Sequence, residues 1–181
     1  MSKVVILGSG NVAFHLTKAL NLAGMTITQI FGRNPTTVSE LARSVNANYT
    51  IEPIEINIEA DIYFFCMNDN ANMEITKLLP HIEDAIFVHT AGSQSMSIFS
   101  KNSDNYGVFY PFQTFTKDVT TDFEKVPICL EANNTDTYQK LEELADKLNC
   151  KHYKLEESKR EILHLAGVFS ANFMNHCVSI S

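Results

Sequence analysis

The chain has 181 residues, a formal net charge of −7 and 45% hydrophobic residues. This length suits one α/β domain with an additional element, or two small domains, and the composition is that of a packed globular protein. An acidic chain lacks the electrostatic footprint of a nucleic-acid-binding protein. The first 43 residues differ, because they carry four basic side chains against one acid, Glu40. We therefore expect an anionic ligand in this part of the chain.

The four cysteines form no CxxC pair and the six histidines are scattered. We therefore expect reduced thiols in a cytoplasmic protein, and no metal site. The start of the chain has none of the features of a signal peptide. The most apolar late stretch, residues 162–180, contains two histidines and two asparagines, which argues against a membrane span.

Short apolar runs alternate with amphipathic segments along most of the chain. The apolar runs predict strands near Val4–Leu7, Met25–Phe31, Asp61–Met67, Ala85–His89, Tyr106–Tyr110, Val126–Glu131 and His152–Leu155, with one more short strand inside the irregular segment Tyr49–Ile58. The segments between them predict helices that begin at Asn11, Pro35, Asn70 and Thr135. The third of these is predicted to reach Leu79, before Pro80, and a short helix is predicted after the loop of residues 90–93. This alternation predicts an α/β fold with a doubly wound, mostly parallel sheet and helices on both of its faces.

The last predicted element is one long helix from Glu156 to the end of the chain. Its residues are apolar on most sides, so the helix needs packing partners on most sides. Either another subunit covers it, or a helical domain that this chain lacks does so. We therefore divide the chain into a nucleotide-binding domain, residues 1–155, and the start of an incomplete helical domain, residues 156–181.

A glycine-rich turn follows the first strand and opens the first helix, with the sequence Gly8-Ser9-Gly10-Asn11-Val12-Ala13. The first glycine allows a tight turn, the second lets the backbone approach a pyrophosphate, and Ala13 permits close helix–strand packing. The helix N-terminus then presents unpaired N–H groups to the phosphates. The position of the motif between a strand and a helix favours dinucleotide binding over an ordinary glycine-rich turn.

The end of the second strand indicates which dinucleotide binds. NAD-binding domains usually place Asp or Glu there to hold the ribose hydroxyls, but residues 1–39 contain no acid at all. The strand ends instead in Phe31-Gly32-Arg33-Asn34. An arginine at this point can bind a 2′-phosphate and stack on the adenine, and Asn34 adds a polar contact or caps the next helix. We therefore predict NADP(H) as the cofactor, the alternative being that Arg33 is a solvated surface charge.

Polar residues follow the next three strands, where ligands bind in open α/β sheets. Met67, Asn68 and Thr90 are candidate cofactor contacts, and we interpret Asp69 as a helix cap. His89 is either a general acid or a residue that ties two loops together.

Three further side chains are candidates for a substrate pocket. Ser93 binds a substrate carboxylate or caps a short helix, and Tyr110 and Gln113 line the pocket or merely follow a strand end.

Four motifs occur in an order that resembles a known family: Gly8–Ala13, His89–Ser93, Tyr110–Phe115 and His164–Phe173. The family is a bacterial one of NADP oxidoreductases with an uncharacterised C-terminal helical domain, related to 6-phosphogluconate dehydrogenase-like and pyrroline-carboxylate reductase-like enzymes. The resemblance implies a Rossmann-type domain, then a helical domain used for dimerisation, with the active site between them. It also implies that the chain ends soon after the first helix of that second domain.

The last helix departs from the pattern of the hydroxyacid dehydrogenase relatives. They place a lysine on this helix, but Ala171 stands at that position and no lysine follows Lys159. His164 and Asn172 are the remaining candidate polar groups, unless they serve helix packing alone. The leading hypothesis is an oxidoreductase that moves a hydride between NADP(H) and a small metabolite, with His89 or His164 handling the proton. The alternative, favoured by the missing lysine, is a non-catalytic NADP-binding sensor.

Overall fold

The computed structural model describes the backbone of residues 2–117, 119 and 121–180, and the side chains of residues 2–117, 119 and 121–170. The strands in this part of the chain are β1 (Lys3–Leu7), β2 (Thr26–Phe31), β3 (Asn48–Thr50), β4 (Ile62–Phe65), β5 (Ile86–His89), β6 (Asn105–Pro111), β7 (Ile128–Ala132) and β8 (His152–Lys154). The α-helices are α1 (Asn11–Leu22), α2 (Pro35–Ser44), α3 (Asp69–Thr76), α4 (Thr135–Lys147) and α5 (Glu157–Ile180).

The strands form one sheet in the order β3-β2-β1-β4-β5-β6-β7-β8. Only β6 and β7 pair antiparallel among the described strands, with Tyr110 opposite Cys129, so the prediction of a doubly wound, mostly parallel sheet is confirmed. The first six strands have the order of the Rossmann-type fold. The chain leaves β1 toward β2 on one side and later returns to β4 on the other. The crevice at this switch point, beyond the carboxyl ends of β1 and β4, is where such sheets bind ligands.

The central strands are buried on both faces, which explains their nearly continuous apolar sequences. In β4 the side chains of Ile62 and Phe64 pack into the cluster beneath α1, α2 and α4. The alternate residues Tyr63 and Phe65 pack on the opposite face with Phe87. The sheet is therefore a fixed platform whose strand ends hold the loops in place.

Some boundaries differ from the predicted ones. The helix expected to reach Leu79 ends at Thr76, and a turn follows in which the Leu79 N–H still donates to the Ile75 carbonyl. The short helix expected after the loop of residues 90–93 is a 3₁₀ turn, Met96–Phe99. The reversed direction of β7 was not predicted, because an apolar run carries no information about strand direction.

The last helix, α5, runs from Glu157 to Ile180 as the sequence predicts. Its described part packs on β6 and β7 through Leu163 and exposes Ile162, Leu165 and Val168 elsewhere on its surface. None of the helices in the described part of the chain combines the length and apolarity needed to cross a membrane.

Candidate nucleotide-binding and active site

The turn after β1 is shaped by crowding between β1 and β4. Gly8 has a φ of +128°, and a Cβ built there would lie 2.7 Å from the carbonyl oxygen of Cys66. Its N–H donates to the carbonyl of Phe31 at 2.7 Å, so the turn is held from both neighbouring strands. Gly10 is different, since a Cβ there would meet no heavy atom within 4 Å. No contact within the described chain requires glycine at position 10, and the open space beside it suits a ligand group.

The N-terminus of α1 opens onto this space. No side chain caps it among the described residues, and its first turn contains no acid. The unpaired N–H groups and the partial positive charge of the helix end are therefore available to an anion. The residues present fit the pyrophosphate of a dinucleotide.

A cavity of about 520 Å³ lies beyond the carboxyl ends of β1, β2 and β4. It is lined by Gly8, Ser9, Gly10, Gly32, Arg33, Asn34, Pro35, Cys66, Met67 and Asn68. Seven of these residues were predicted from the sequence as cofactor contacts, and the fold brings them together. Arg33 is exposed, and no carboxylate in the described part of the chain forms an ion pair with it.

Two of the predicted contacts use their side-chain oxygens to cap helices. The Oδ1 atom of Asn34 accepts from the N–H groups of Thr36 and Thr37 at the start of α2, at 3.0 and 3.1 Å. Asn68 accepts from the Ala71 N–H at the start of α3, at 2.9 Å. Each amide therefore has its NH₂ group available for a ligand, and the caps fix the loops that line the cavity.

Three other predicted cofactor contacts do not line the cavity. The Asn11 amide donates to the carbonyl of Phe115 at 2.8 Å, and Val12 packs against the core. Thr90 is buried, with its N–H donating to the Phe65 carbonyl at 3.1 Å. Asn11 and Val12 can reach a phosphate only through their backbone N–H groups, which belong to the first turn of α1.

A second group of residues converges where α5 packs on the loop after β5. Arg160 is fully buried, and its Nε and Nη2 atoms donate to Oε2 of Glu131 at 3.2 and 3.1 Å. Its Nη1 donates to the carbonyls of Ala91 and Gly92, at 3.2 and 2.8 Å. Sequence reasoning missed this arginine. The sequence shows only that Arg160 is the one arginine after residue 43. That fact does not indicate which residues it contacts.

His164 lies one helical turn beyond Arg160. Its Nδ1 atom is 2.9 Å from the Tyr110 hydroxyl, and the two rings meet edge to face. A Cβ on Gly92 would overlap the His164 ring, and one on Gly167 would lie 2.7 Å from the Phe112 ring. The tertiary structure thus joins two residues, Tyr110 and His164, that the sequence only suggested separately.

The structure argues against a general-acid role for His89. Its side chain is completely buried, and its Nδ1 accepts from the Ala91 N–H at 3.2 Å. Its Nε2 has no hydrogen-bond partner among the described residues. Burial, and next the positive charge of Arg160, lower the pKa of His89 from 6.5 to about 3, so the ring is neutral at physiological pH. The alternative interpretation, that it ties the loop, fits this geometry.

The remaining predicted site residues have other roles or lie outside the described side chains. The Ser93 hydroxyl donates to Oδ2 of Asp69 at 3.0 Å. Asp69 is the first residue of α3 and not its cap, which is Asn68. Gln113 is exposed and accepts from the Thr114 N–H at 3.2 Å. The side chain of Asn172 lies outside the described residues.

Comparison with known proteins assigns the family. A family model described as NADP oxidoreductase, coenzyme F420-dependent, matches residues 3–92, and a model described as a domain of unknown function, DUF2520, matches residues 126–181. The crystal structure of the putative NADP oxidoreductase BF3122 from Bacteroides fragilis is 37% identical, with a TM-score of 0.93 over 99% of this chain and 70% of that chain. The chain belongs to the same family as BF3122. This membership confirms the predicted family and its cofactor class, NADP(H).

More distant structures share the fold. The 1-pyrroline-5-carboxylate reductase of Streptococcus pyogenes is 16% identical, with a TM-score of 0.73 over 97% of this chain and 66% of that chain. An imine reductase from Myxococcus stipitatus in complex with NADP⁺ is 14% identical, with a TM-score of 0.67 over 97% of this chain and 63% of that chain. The chain thus spans slightly less than two thirds of the length of both. No curated protein matches it.

The buried, neutral His89 predicts a specific pH dependence of stability. Its pKa in the folded protein, about 3, lies below the 6.5 of an exposed histidine. As the pH falls below 6.5 the unfolded chain gains a proton that the folded protein does not, so His89 makes the free energy of unfolding fall by about 1.4 kcal/mol per pH unit. Urea unfolding of wild type and His89→Asn between pH 7 and 4 should show the two unfolding free energies converging or crossing as the pH falls.

The matched control is His81→Asn, which changes an exposed histidine. Its unfolding free energy should follow that of the wild type at each pH. Parallel curves for wild type and His89→Asn would contradict the depressed pKa.

Proposed function

We propose that this protein is an NADP(H)-dependent oxidoreductase that transfers a hydride between the nicotinamide ring and a small metabolite. The observation that carries the proposal is the cavity at the switch point, bounded by the phosphate loop, the exposed Arg33 and the loop after β4. The bound cofactor supplies the hydride chemistry. The protein binds and orients the cofactor and provides the proton. The free thiols of the described cysteines, Cys66, Cys129 and Cys150, support a cytoplasmic location.

Charge and space determine how the cofactor would be held. The N–H groups at the start of α1 face the pyrophosphate, and the missing side chain of Gly10 leaves room for it. The guanidinium of Arg33 has no carboxylate partner in the described chain and binds the 2′-phosphate. Because no acid stands at the end of β2, nothing there repels this phosphate.

The pair of Tyr110 and His164 is the proton source in this proposal. Burial raises the pKa of Tyr110, so its hydroxyl stays protonated and can donate to Nδ1 of His164 across 2.9 Å. In the proposed arrangement the hydroxyl is the donor, and His164 then carries its proton on Nε2. The half-buried ring can then donate that proton to the substrate atom that becomes negative as the hydride arrives, while the Tyr110 hydroxyl passes its own proton to Nδ1, so that the imidazole stays neutral and the negative charge moves to the tyrosine oxygen.

We also propose that the protein forms a homodimer through α5. Ile162, Leu165 and Val168 recur every three residues on this helix and are 69%, 69% and 41% exposed. Such an apolar stripe on a long helix favours association with another helical surface.

Arg33 should control the preference between the two nicotinamide cofactors. We expect wild type to bind NADPH more tightly than NADH, and Arg33→Gln to weaken NADPH binding about 10- to 100-fold through loss of charged hydrogen bonds, with NADH binding unchanged. Fluorescence titration measures both affinities. Arg43→Gln, at an exposed position near the end of α2, is the matched control and should behave as wild type. Equal affinity of wild type for NADPH and NADH would refute the assignment.

Removing the proton donor should reduce turnover and leave cofactor binding intact. NADPH consumption is measured across a panel of imines and ketones. On any compound that wild type reduces, His164→Asn should lower kcat about 100-fold or more, and Tyr110→Phe should lower it less. Neither variant should change the NADPH affinity more than about twofold, because the cavity of the phosphate loop does not include either residue. Tight NADPH binding by wild type without turnover of any compound would indicate a sensor instead.

The oligomeric state tests the role of α5. Light scattering should give twice the chain mass for wild type, and the mass of one chain for Leu165→Lys, because the new charge would be buried at the interface. Leu78→Lys changes an equally large apolar residue, 62% exposed outside α5, and should stay dimeric. A monomeric wild type would contradict the proposal.

A further inference from the structure

One face of α5 holds the loop of residues 91–95 by three successive contacts. Near the start of the helix, Oε2 of Glu157 accepts from the Ser95 hydroxyl at 2.7 Å. Arg160 follows three residues later and His164 four residues after that, so the three side chains share one side of the helix. The last contact is the packing of the His164 ring against Gly92.

The guanidinium of Arg160 is buried and makes four hydrogen bonds within the protein. All three of its nitrogen atoms donate to Glu131 or to the two loop carbonyls, and its side chain is 0% exposed. Glu131 is itself fixed, since its Oε1 accepts from the Glu157 N–H at 3.1 Å. Arg160 therefore cannot reach a ligand, and any effect it has on the site passes through the loop.

The hydrogen bonds from Arg160 to the loop fix the orientation of two consecutive peptide planes. The carbonyls of Ala91 and Gly92 both point at Nη1 of Arg160. Because the peptide unit is planar and trans, the N–H groups of Gly92 and Ser93 must point the opposite way, away from the guanidinium. The Cα of Gly92 is held between these two planes, and the His164 ring fills the space that a side chain on this Cα would need.

A buried ion pair of this kind is a poor source of stability. The cost of removing both charges from water offsets much of their attraction, and apolar replacements of similar volume are often as stable. The geometry that the pair imposes is a more specific contribution, since the planar guanidinium holds two carbonyls and a carboxylate in fixed directions.

We propose that Arg160 is a positioning residue for His164. By clamping the carbonyls of residues 91 and 92 it fixes Gly92, and Gly92 holds the imidazole at hydrogen-bond distance from Tyr110. The tautomer of His164, with the proton on Nε2, then depends on a guanidinium that touches neither cofactor nor substrate. The proposal rests on the proposed function in that His164 is the proton donor.

The test is the ¹⁵N NMR signal of the His164 ring, recorded without cofactor and assigned by its loss in His164→Asn. Wild type should show Nε2 protonated and Nδ1 unprotonated. The double variant Arg160→Met, Glu131→Gln removes both charges, and its Gln oxygen still accepts from the Glu157 N–H. Its His164 signals should move toward the average of the two tautomers, as in Tyr110→Phe. Its kcat on a compound that wild type reduces should fall about 10-fold or more. The NADPH affinity should stay within about twofold of wild type.

A matched control removes an exposed ion pair far from the helix. Asp122→Asn with Lys125→Met abolishes the 2.9 Å surface pair and should leave the His164 signals unchanged. A folded Arg160→Met, Glu131→Gln protein with wild-type His164 signals would overturn the proposal. A double variant that fails to fold would also overturn it, because the pair would then serve stability.

A second variant tests the link through Gly92. Gly92→Ala places a methyl group where the His164 ring lies, so its His164 signals should shift although Arg160 is intact. Unchanged signals in this variant would overturn the proposed path. These spectra need no cofactor. A wild type that fails to bind NADPH would therefore refute the proposed function, while the test of Arg160 as a positioning residue would remain valid.

Discussion

The burial of the Arg160 guanidinium connects α5 to the sheet and to the loop after β5. A fully buried arginine requires acceptors for its donors, and here one carboxylate on β7 and two carbonyls after β5 supply them. The antiparallel placement of β7 beside β6 brings Glu131 to this point. The register of α5 against the sheet follows from this contact, and with it the position of His164 beside Tyr110.

A second constraint is the close approach of β1 and β4. The Cys66 carbonyl lies where a side chain on Gly8 would be, so the chain must turn sharply as it leaves β1. That turn aims the start of α1 at the crevice and leaves its N–H groups free of acids and caps. The same crowding that makes the turn tight therefore creates the region of positive potential used for an anionic ligand.

His89 and His164 show how burial and hydrogen bonding give two residues of one type different capacities to exchange a proton. His89 ends a central strand, is sealed from water beside a buried cation, and stays neutral. His164 lies on α5, half-buried, with a tyrosine hydroxyl as its partner. Both histidines follow from the sequence as candidates, but burial and hydrogen bonding decide which one can exchange a proton with a ligand.

The sequence alone determined the elements with strong local signals. Continuous apolar runs predicted the central strands, the pattern from Gly8 to Ala13 predicted the phosphate loop, and the lack of acids before Glu40 with Arg33 after β2 predicted the cofactor class. These features depend on residues close together in the chain, where periodicity and turn chemistry operate. The composition of the last helix likewise predicted its length.

The tertiary structure alone decided which distant residues meet. Arg160 and Glu131 are 29 residues apart, and Tyr110 and His164 are 54 apart, and no local pattern encodes such pairs. The sequence also did not predict the direction of β7, the burial of His89, or the hydrogen bond from the Asn11 amide to the Phe115 carbonyl. Long-range hydrogen bonds and desolvation are set by packing, so they exist only once the sheet and α5 have come together.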